Sequence, residues 1–255
     1  MKTCNINGIE LAYLRRGRGI PFVLLHGYPL DHSIWEGLMP LLEDQFDLIV
    51  PDLRGFGASS KIETIYSISD MAEDLADMLD QFGLATCHMA GHSMGGYVAL
   101  EFARKMDDRL SGLALVSSQV AGDTEERRAA RIRTAAEVAD RGIGAFVQTM
   151  AAGLTSDGNL QGSLRGVISR QDKAGVIGAL RAMAGRGSYE NVLPKLMVPV
   201  AVIHGAEDQL IPIQRAQEAA AQNPRARLFE LQGVGHMPML EAPDQTAQAL
   251  KSLNG

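Results

Sequence analysis

Cysteine, tryptophan and aromatic residues in general are scarce in this chain. Two cysteines and one tryptophan occur among 255 residues, and aromatic residues make up 5% of the sequence. Cys4 and Cys87 belong to no Cys-x-x-Cys pair and to no metal-ligand spacing, which argues against a disulfide framework and against a cysteine metal site. We expect both thiols to be small buried or half-buried residues.

Long apolar runs and an excess of basic charge are also missing. No stretch approaches the roughly 18 apolar residues of a membrane span, and residues 1–8 lack the apolar region of a secretory signal. The 24 Lys and Arg against 30 Asp and Glu give a net charge of -6, and no basic helix suggests a nucleic-acid surface. No zinc spacing, P-loop or dinucleotide fingerprint occurs, so we expect no metal and no redox cofactor. The sequence therefore predicts a soluble, cytoplasmic protein without a membrane or nucleic-acid partner, and it carries no signal for an oligomeric state.

Strand-like and helix-like segments alternate along most of the chain. Asn7-Gly8 between two alternating runs predicts an antiparallel hairpin at the start. Apolar residues at spacings of three and four over residues 71–82 predict a helix, with Ser69 or Asp70 as its N-cap. The alternation predicts an α/β fold with a mostly parallel, doubly wound sheet. The parallel strands are predicted at residues 21–25, 46–50, 86–90, 112–116, 199–203 and 228–231.

The alternation stops between residues 121 and 193, where helical stretches rich in Ala, Arg and Met take over. We interpret residues 121–195 as an inserted helical cap, and residues 1–120 with 196–255 as one α/β core. Ligands bind at the carboxyl ends of the strands in such sheets. A cap placed there would cover the site and exclude water.

A serine stands between a strand-like run and a helical pattern. Residues 91–96 read Gly-His-Ser-Met-Gly-Gly, and a helix is predicted over residues 97–106. A sharp turn from strand to helix holds a serine hydroxyl in a strained, exposed conformation that a bound carbonyl can reach. Gly91 and Gly95 lack the Cβ atoms that would collide across such a bend. Ser93 is therefore the candidate nucleophile.

An acid and a base follow in loops after the last two predicted strands. Asp208 lies in the first of these loops, and His236 lies in a glycine-rich turn in the second. If both side chains converge on Ser93, the imidazole can take the serine proton during attack on an acyl carbon, while the carboxylate fixes the imidazole tautomer. Glu207, beside Asp208, is the closest rival for the role of the acid.

Together these segments resemble the α/β-hydrolase fold superfamily. The resemblance is closest to its small-cap serine hydrolases, which include carboxylesterases, enol-lactonases, perhydrolases (cofactor-free haloperoxidases) and carbon-carbon bond hydrolases. It runs from His-Gly-Tyr-Pro at residues 26–29, through Asp-Leu-Arg-Gly-Phe-Gly at 52–57 and the Ser93 turn, to His236 and the Glu-Ala-Pro that follows at 241–243. The chain order of serine, aspartate and histidine is also that of this superfamily.

The resemblance implies roles for further residues. The backbone N–H groups of Tyr28 and Met94 would form the oxyanion hole. The family pattern favours Asp208 as the acid, because it stands four residues before a proline. His26 and His92 would brace the oxyanion loop and the serine turn.

Two cap arginines leave an alternative open. Arg127 and Arg131, with Glu125 and Glu126 beside them, fit a solvated helix face with charged neighbours one turn apart. The alternative is that they recognise an anionic substrate.

The resemblance implies a serine hydrolase that cleaves small carboxylic esters through an acyl-enzyme. A serine at the turn argues against haloalkane dehalogenase and epoxide hydrolase chemistry, which uses an aspartate nucleophile in this superfamily. The alternatives with the same three residues are an enol-lactonase, a carbon-carbon bond hydrolase and a perhydrolase. A ligand receptor that does not turn over its ligand is a further alternative. In each catalytic case the expected partner is a small molecule such as an ester or a lactone.

Overall fold

The computed structural model describes residues 1–254, which form one sheet of eight strands with helices on both faces. Strands β1 to β8 span Lys2–Ile6, Ile9–Gly17, Ile20–Leu25, Phe46–Pro51, Cys87–His92, Leu110–Val116, Val200–Gly205 and Ala226–Leu231. Helices α1 to α9 span Ile68–Gln81, Met94–Lys105, Glu125–Arg141, Gly144–Leu154, Gly158–Ser169, Lys173–Gly185, Ile213–Ala221, Pro238–Glu241 and Pro243–Lys251.

The order of the strands is β1-β2-β4-β3-β5-β6-β7-β8. The pairs β1–β2 and β2–β4 run antiparallel, and the remaining five pairs run parallel. In the first hairpin Ile6 pairs with Ile9, and the turn residues Asn7 and Gly8 have φ of 52° and 86°. Positive φ at both positions is what a tight two-residue hairpin requires. The predicted α/β class and mostly parallel sheet are confirmed.

Apolar residues fill both faces of the sheet. One side buries a cluster that includes Met71, Tyr97 and Phe102 from α1 and α2, and the other buries a cluster that includes Trp35 and Phe46. Every residue of β5 and of β7 is buried, because these strands lie in the interior of the sheet with cover on both faces. The doubly wound arrangement that the sequence predicts is therefore present.

The structure differs from the sequence-based expectation at two helix starts. Helix α1 begins at Ile68 with Ser67 as its N-cap, so the prediction of Ser69 or Asp70 is wrong. The Ser67 hydroxyl accepts from the Asp70 N–H while the Asp70 carboxylate accepts from the Ser67 N–H, which places Asp70 inside the helix as the partner of the cap. Helix α2 begins at Met94, immediately after Ser93.

The alternation of strands and helices is also less regular than predicted. Strand β3 follows β2 after a turn at Gly17 and Gly19, both at positive φ, and β3 reaches β4 through short 3-10 turns at His32–Trp35 and Met39–Leu41. An α-helix first appears in the connection from β4 to β5. The connection from β3 to β4 therefore covers the sheet with 3-10 turns in place of a full helix.

Four helices occupy the region between β6 and β7. They are α3 to α6, from Glu125 to Gly185, and α3 packs on α6 while α4 packs on α5. The division at residues 120 and 195 stays a prediction. Within residues 1–254, no helix combines the length and the apolar character that crossing a bilayer would require.

Candidate active site

The turn from β5 into α2 holds Ser93 in an unusual backbone conformation. Ser93 has φ of 50° and ψ of -111°, outside the regions that residues with a Cβ normally adopt. A Cβ on Gly91 would lie 2.2 Å from the Gly95 carbonyl oxygen, and a Cβ on Gly95 would lie 2.7 Å from the carbonyl oxygens of His26 and Leu25. The bend is thus so tight that the backbone occupies the space of both side chains. This is the geometry that presents a serine at the tip of a strand-to-helix turn.

Asp208 and His236 form a direct pair on the neighbouring loops. Asp208 Oδ2 lies 2.6 Å from His236 Nδ1, and both side chains are almost fully buried. The other carboxylate oxygen accepts from the N–H groups of Leu210 and Ile211, at 2.8 and 2.9 Å, and His204 Nε2 lies 3.3 Å from Oδ2. Burial opposes ionisation of the acid, but the interactions with His236, His204 and the Ile211 N–H hold the pKa of Asp208 well below its usual range.

His92 fixes the backbone that carries His236. Its Nε2 donates to the carbonyl oxygen of His236 at 2.9 Å, and the two rings lie 4.9 Å apart. Burial, and then the neighbouring His236 ring, lower the pKa of His92 to about 3, so this imidazole stays neutral near pH 7. His92 thus acts on the position of His236 and points away from the cavity that Ser93 faces.

Ser93 and His236 line one cavity of about 220 Å³. The strands' carboxyl ends form its floor, and helices α3, α4 and α6 form its roof. Within the described residues, no hydrogen bond joins the Ser93 hydroxyl to the His236 ring; both groups open onto the same space. In unliganded sites such contacts are often long and tighten when substrate binds. The other lining residues are Tyr28, Tyr97, Arg127, Ala130, Arg131, Thr134, Phe146, Met150, Leu180, Met183, Leu210 and Ile211.

The loop that carries Tyr28 lies directly against the serine turn. A Cβ on Gly27 would lie 2.4 Å from His92 Nδ1 and 3.1 Å from Ser93 Cβ, so the backbone passes beside the serine. In the chain up to residue 254, the backbone N–H groups of Tyr28 and Met94 have no hydrogen-bond partner. Two free donors next to a serine form the kind of site that binds a developing oxyanion.

His26 supports this loop from behind. The Leu53 N–H donates to His26 Nε2 at 3.0 Å, which leaves the proton on Nδ1 to donate to the Gly27 carbonyl oxygen at 2.9 Å. Burial lowers the pKa of His26, which keeps the ring neutral and this arrangement intact.

Other candidates from the sequence lie elsewhere. Glu207 is exposed, so the structure does not place this rival acid beside His236. Asp31, His32 and Asp52 bring potential ligand atoms within 4.8 Å of one another. Their carboxylates are already engaged, since Asp31 accepts from Arg170 and from neighbouring side chains while Asp52 accepts from His32 and backbone N–H groups. The trio is a hydrogen-bonded brace for its loops.

Sequence reasoning misjudged one arginine of α3. Arg131 is 13% exposed and pairs with the buried Asp123, at 2.6 Å from Nε to Oδ2, so the solvated-face interpretation is wrong for it. Arg127 lies one turn before it and lines the same cavity. The acidic neighbours in sequence, Glu125 and Glu126, are exposed, and the partner of Arg131 is Asp123.

Residues 20–243 match a family model described as the alpha/beta hydrolase fold. The chain belongs to the α/β-hydrolase fold family. The membership that the sequence motifs predicted is confirmed, and the protein is a hydrolase of this fold.

Esterases are among the relatives of this α/β-hydrolase. A thermophilic esterase from Thermogutta terrifontis, solved with malate bound, is 35% identical with a TM-score of 0.92, over 98% of this chain and 95% of that chain. The pimeloyl-[acyl-carrier protein] methyl ester esterase of Nitrosomonas europaea is 29% identical over 255 residues, covering 93% of this chain and 96% of that protein. The enol-lactonase from Burkholderia xenovorans LB400 has a TM-score of 0.91 at 23% identity, over 99% of both chains, which shows a shared fold.

Proposed function

We propose that the protein is a serine hydrolase that cleaves small carboxylic esters through an acyl-enzyme on Ser93. The observation that carries this proposal is the 2.6 Å pair between Asp208 and His236, whose imidazole opens onto the same cavity as the strained Ser93 turn. A buried acid, an oriented imidazole and a serine in this order form a nucleophile with its own base. The two esterases among the relatives support an ester as the substrate.

The proposed reaction uses each of these groups in turn. Because His236 Nδ1 donates to Asp208, Nε2 is free to accept the Ser93 proton as the hydroxyl oxygen attacks the ester carbonyl. The N–H groups of Tyr28 and Met94 stabilise the negative charge on the former carbonyl oxygen. His236 then returns the proton to the leaving alcohol. A water molecule then attacks the acyl carbon while His236 takes a proton from it, and His236 passes that proton to the Ser93 oxygen as the carboxylic acid leaves.

The size and lining of the cavity define the kind of ester. A volume of about 220 Å³ admits a short acyl or alcohol group, and Phe146, Met150 and Leu180 supply apolar wall. We propose that residues 121–195 act as a cap on the core formed by residues 1–120 and 196–255, because their helices supply this wall. A closed roof would keep bulk water from the site during acylation.

Esterase activity of a Ser93→Ala variant tests the proposal. Wild type should hydrolyse 4-nitrophenyl acetate and butyrate and should react with a fluorophosphonate probe, and Ser93→Ala should do neither. Ser163→Ala is the matched control, since Ser163 is an exposed serine on α5, and it should behave as wild type. Hydrolysis by Ser93→Ala at the wild-type rate would refute the proposal.

A substrate panel separates this proposal from reactions that the same residues could perform. Turnover of esters should exceed turnover of enol-lactones and of 1,3-diketones by the wild-type protein. Preference for a lactone or diketone would assign lactonase or carbon-carbon bond hydrolase activity instead, and peroxide-dependent bromination in acetate would assign a perhydrolase. Tight ligand binding without any turnover would indicate a receptor.

A further inference from the structure

The cavity that holds Ser93 has two arginines in its wall. Arg127 and Arg131 lie four residues apart on α3, which places them on the same face of the helix. Among the described residues that line this cavity, none is acidic, because Asp208 lies behind His236. The wall is therefore apolar and positively charged.

The nearby acid cannot neutralise both arginines. The fully buried Asp123 contacts Arg131 Nε at 2.6 Å and Arg186 Nη2 at 2.9 Å, while Arg127 Nε lies 3.9 Å away. Three guanidinium groups thus share one carboxylate, and three positive charges less one negative leave a net charge of +2. Arg186 is completely buried over the ring of Tyr97, at 3.8 Å from the centroid, and does not line the Ser93 cavity. Of the two arginines that line the cavity, Arg127 lies farther from Asp123 and is the less compensated.

Hydrogen-bond donors also remain free at this wall. Arg131 directs Nε to Asp123 and Nη1 to the sulfur of Met183 at 3.3 Å, and within residues 1–254 its Nη2 has no partner. The Tyr28 hydroxyl is buried and, in the same part of the chain, has no hydrogen-bond partner either. A buried hydroxyl without a partner is unfavourable unless a ligand supplies an acceptor. Arginine in turn presents a planar fork that matches a carboxylate.

We propose that Arg127 and Arg131 bind a carboxylate of the substrate, with the Tyr28 hydroxyl as a further donor. This inference rests on the proposed esterase function and specifies its substrate class. The substrate is an ester with a free carboxylate on the same small molecule, such as a half-ester of a short dicarboxylic acid. The cavity of about 220 Å³ brings that carboxylate and the scissile carbonyl close together.

A matched pair of esters tests the carboxylate. Mono-4-nitrophenyl glutarate and 4-nitrophenyl valerate have the same leaving group and chain length, and they differ in the terminal carboxylate. Wild type should favour the glutarate ester in kcat/KM, and this preference should fall with rising salt because the interaction is between charges. In Arg127→Gln the ratio of the two kcat/KM values should fall by about tenfold or more, as expected when a hydrogen-bonded charge is lost.

Two further variants separate charge, geometry and folding. Arg131→Lys keeps the charge next to Asp123 but removes the fork, so it should also lower the ratio. Arg133→Gln is the control, because Arg133 is exposed on the same helix and, within the described residues, makes no ion pair. Its ratio should equal that of wild type. Thermal melting of each variant verifies that it is folded.

Binding of glutarate to Ser93→Ala provides a measurement that does not depend on turnover. Calorimetry should show glutarate binding that weakens about tenfold or more when Arg127→Gln is added. Equal kcat/KM for the two esters in wild type, with no change in Arg127→Gln, would overturn the inference and leave the esterase proposal intact. Glutarate binding that depends on Arg127, in a protein that hydrolyses no ester, would support the anion site and refute the esterase proposal. Absence of glutarate binding to Ser93→Ala would overturn the inference.

Discussion

Replacement of Gly91 by alanine tests whether the serine turn depends on its tight backbone. The new Cβ would lie 2.2 Å from the Gly95 carbonyl oxygen, 2.3 Å from the Gly95 carbonyl carbon and 2.5 Å from the Gly96 nitrogen, where ordinary contacts begin at 3.4 Å. Gly91 is held between β3 and β6 by its pairing with Leu25 and Leu115, so the strand cannot yield. The turn must therefore open by roughly 1 Å on the side of Ser93, which moves the Ser93 hydroxyl out of its position for attack.

The expected result is a loss of both stability and activity. Overpacking of this kind destabilises proteins by about 1 to 3 kcal/mol, which in a chain of this length lowers Tm by about 2 to 4 °C for each kcal/mol. A 1 Å displacement of a reacting group lowers the rate by about 100-fold. The assays are thermal melting and kcat/KM for 4-nitrophenyl butyrate.

Gly166 on α5 provides the matched control. A Cβ at Gly166 would meet nothing within 4 Å, so Gly166→Ala should keep wild-type activity and gain up to about 1 kcal/mol from helix propensity. Wild-type Tm and kcat/KM in Gly91→Ala would refute the reasoning about the turn.

Three more predictions concern the acid, the pH dependence of stability and the cavity wall. Asp208→Asn should lower kcat by about 10³- to 10⁴-fold because the imidazole loses its orienting carboxylate, while Glu207→Gln on the exposed neighbour should not, as steady-state kinetics would show. Burial would raise the pKa of Asp31, but hydrogen bonds from its arginine and serine partners hold it at about 2 against 3.8 in the unfolded chain. The lowered pKa stabilises the folded state by about 2 kcal/mol above pH 4, and this stabilisation is lost as the pH falls through about 2. In urea unfolding, the free energy of unfolding of Asp31→Asn should therefore fall less steeply than that of wild type as the pH is lowered from 4 to 2. Met150 lines both the Ser93 cavity and a second cavity of about 350 Å³, so Met150→Ala should raise kcat/KM for octanoate relative to butyrate esters, and Gln148→Ala should leave this ratio unchanged.

Much of the sheet and of the serine turn could be predicted because local sequence determines them. The β-branched run at residues 199–203 is typical of a buried parallel strand, and the structure has β7 at Val200–Gly205. The tight bend leaves no room for a Cβ at Gly91 or Gly95. Because both positions are glycine in the sequence, the bend could be predicted from residues 91–95 alone.

The features that could not be predicted depend on distant partners. The charge pattern of α3 suggested pairing with Glu125 and Glu126, but the tertiary fold turns Arg131 toward Asp123 and the cavity. Periodicity identifies the two faces of a helix and does not reveal which face covers a site. The N-cap of α1 was misplaced because Asp70 reads equally as a cap or as the third residue of a capping box.

The most direct test of the central claim is to identify the atom that carries the acyl group. Wild-type protein is mixed with a 4-nitrophenyl ester, quenched in acid during turnover and analysed by peptide mass spectrometry. We expect the acyl group on Ser93, and we expect it to be absent in His236→Ala because the serine then has no base. An acyl group on another residue, or one on Ser93 that forms at the wild-type rate in His236→Ala, would contradict the account.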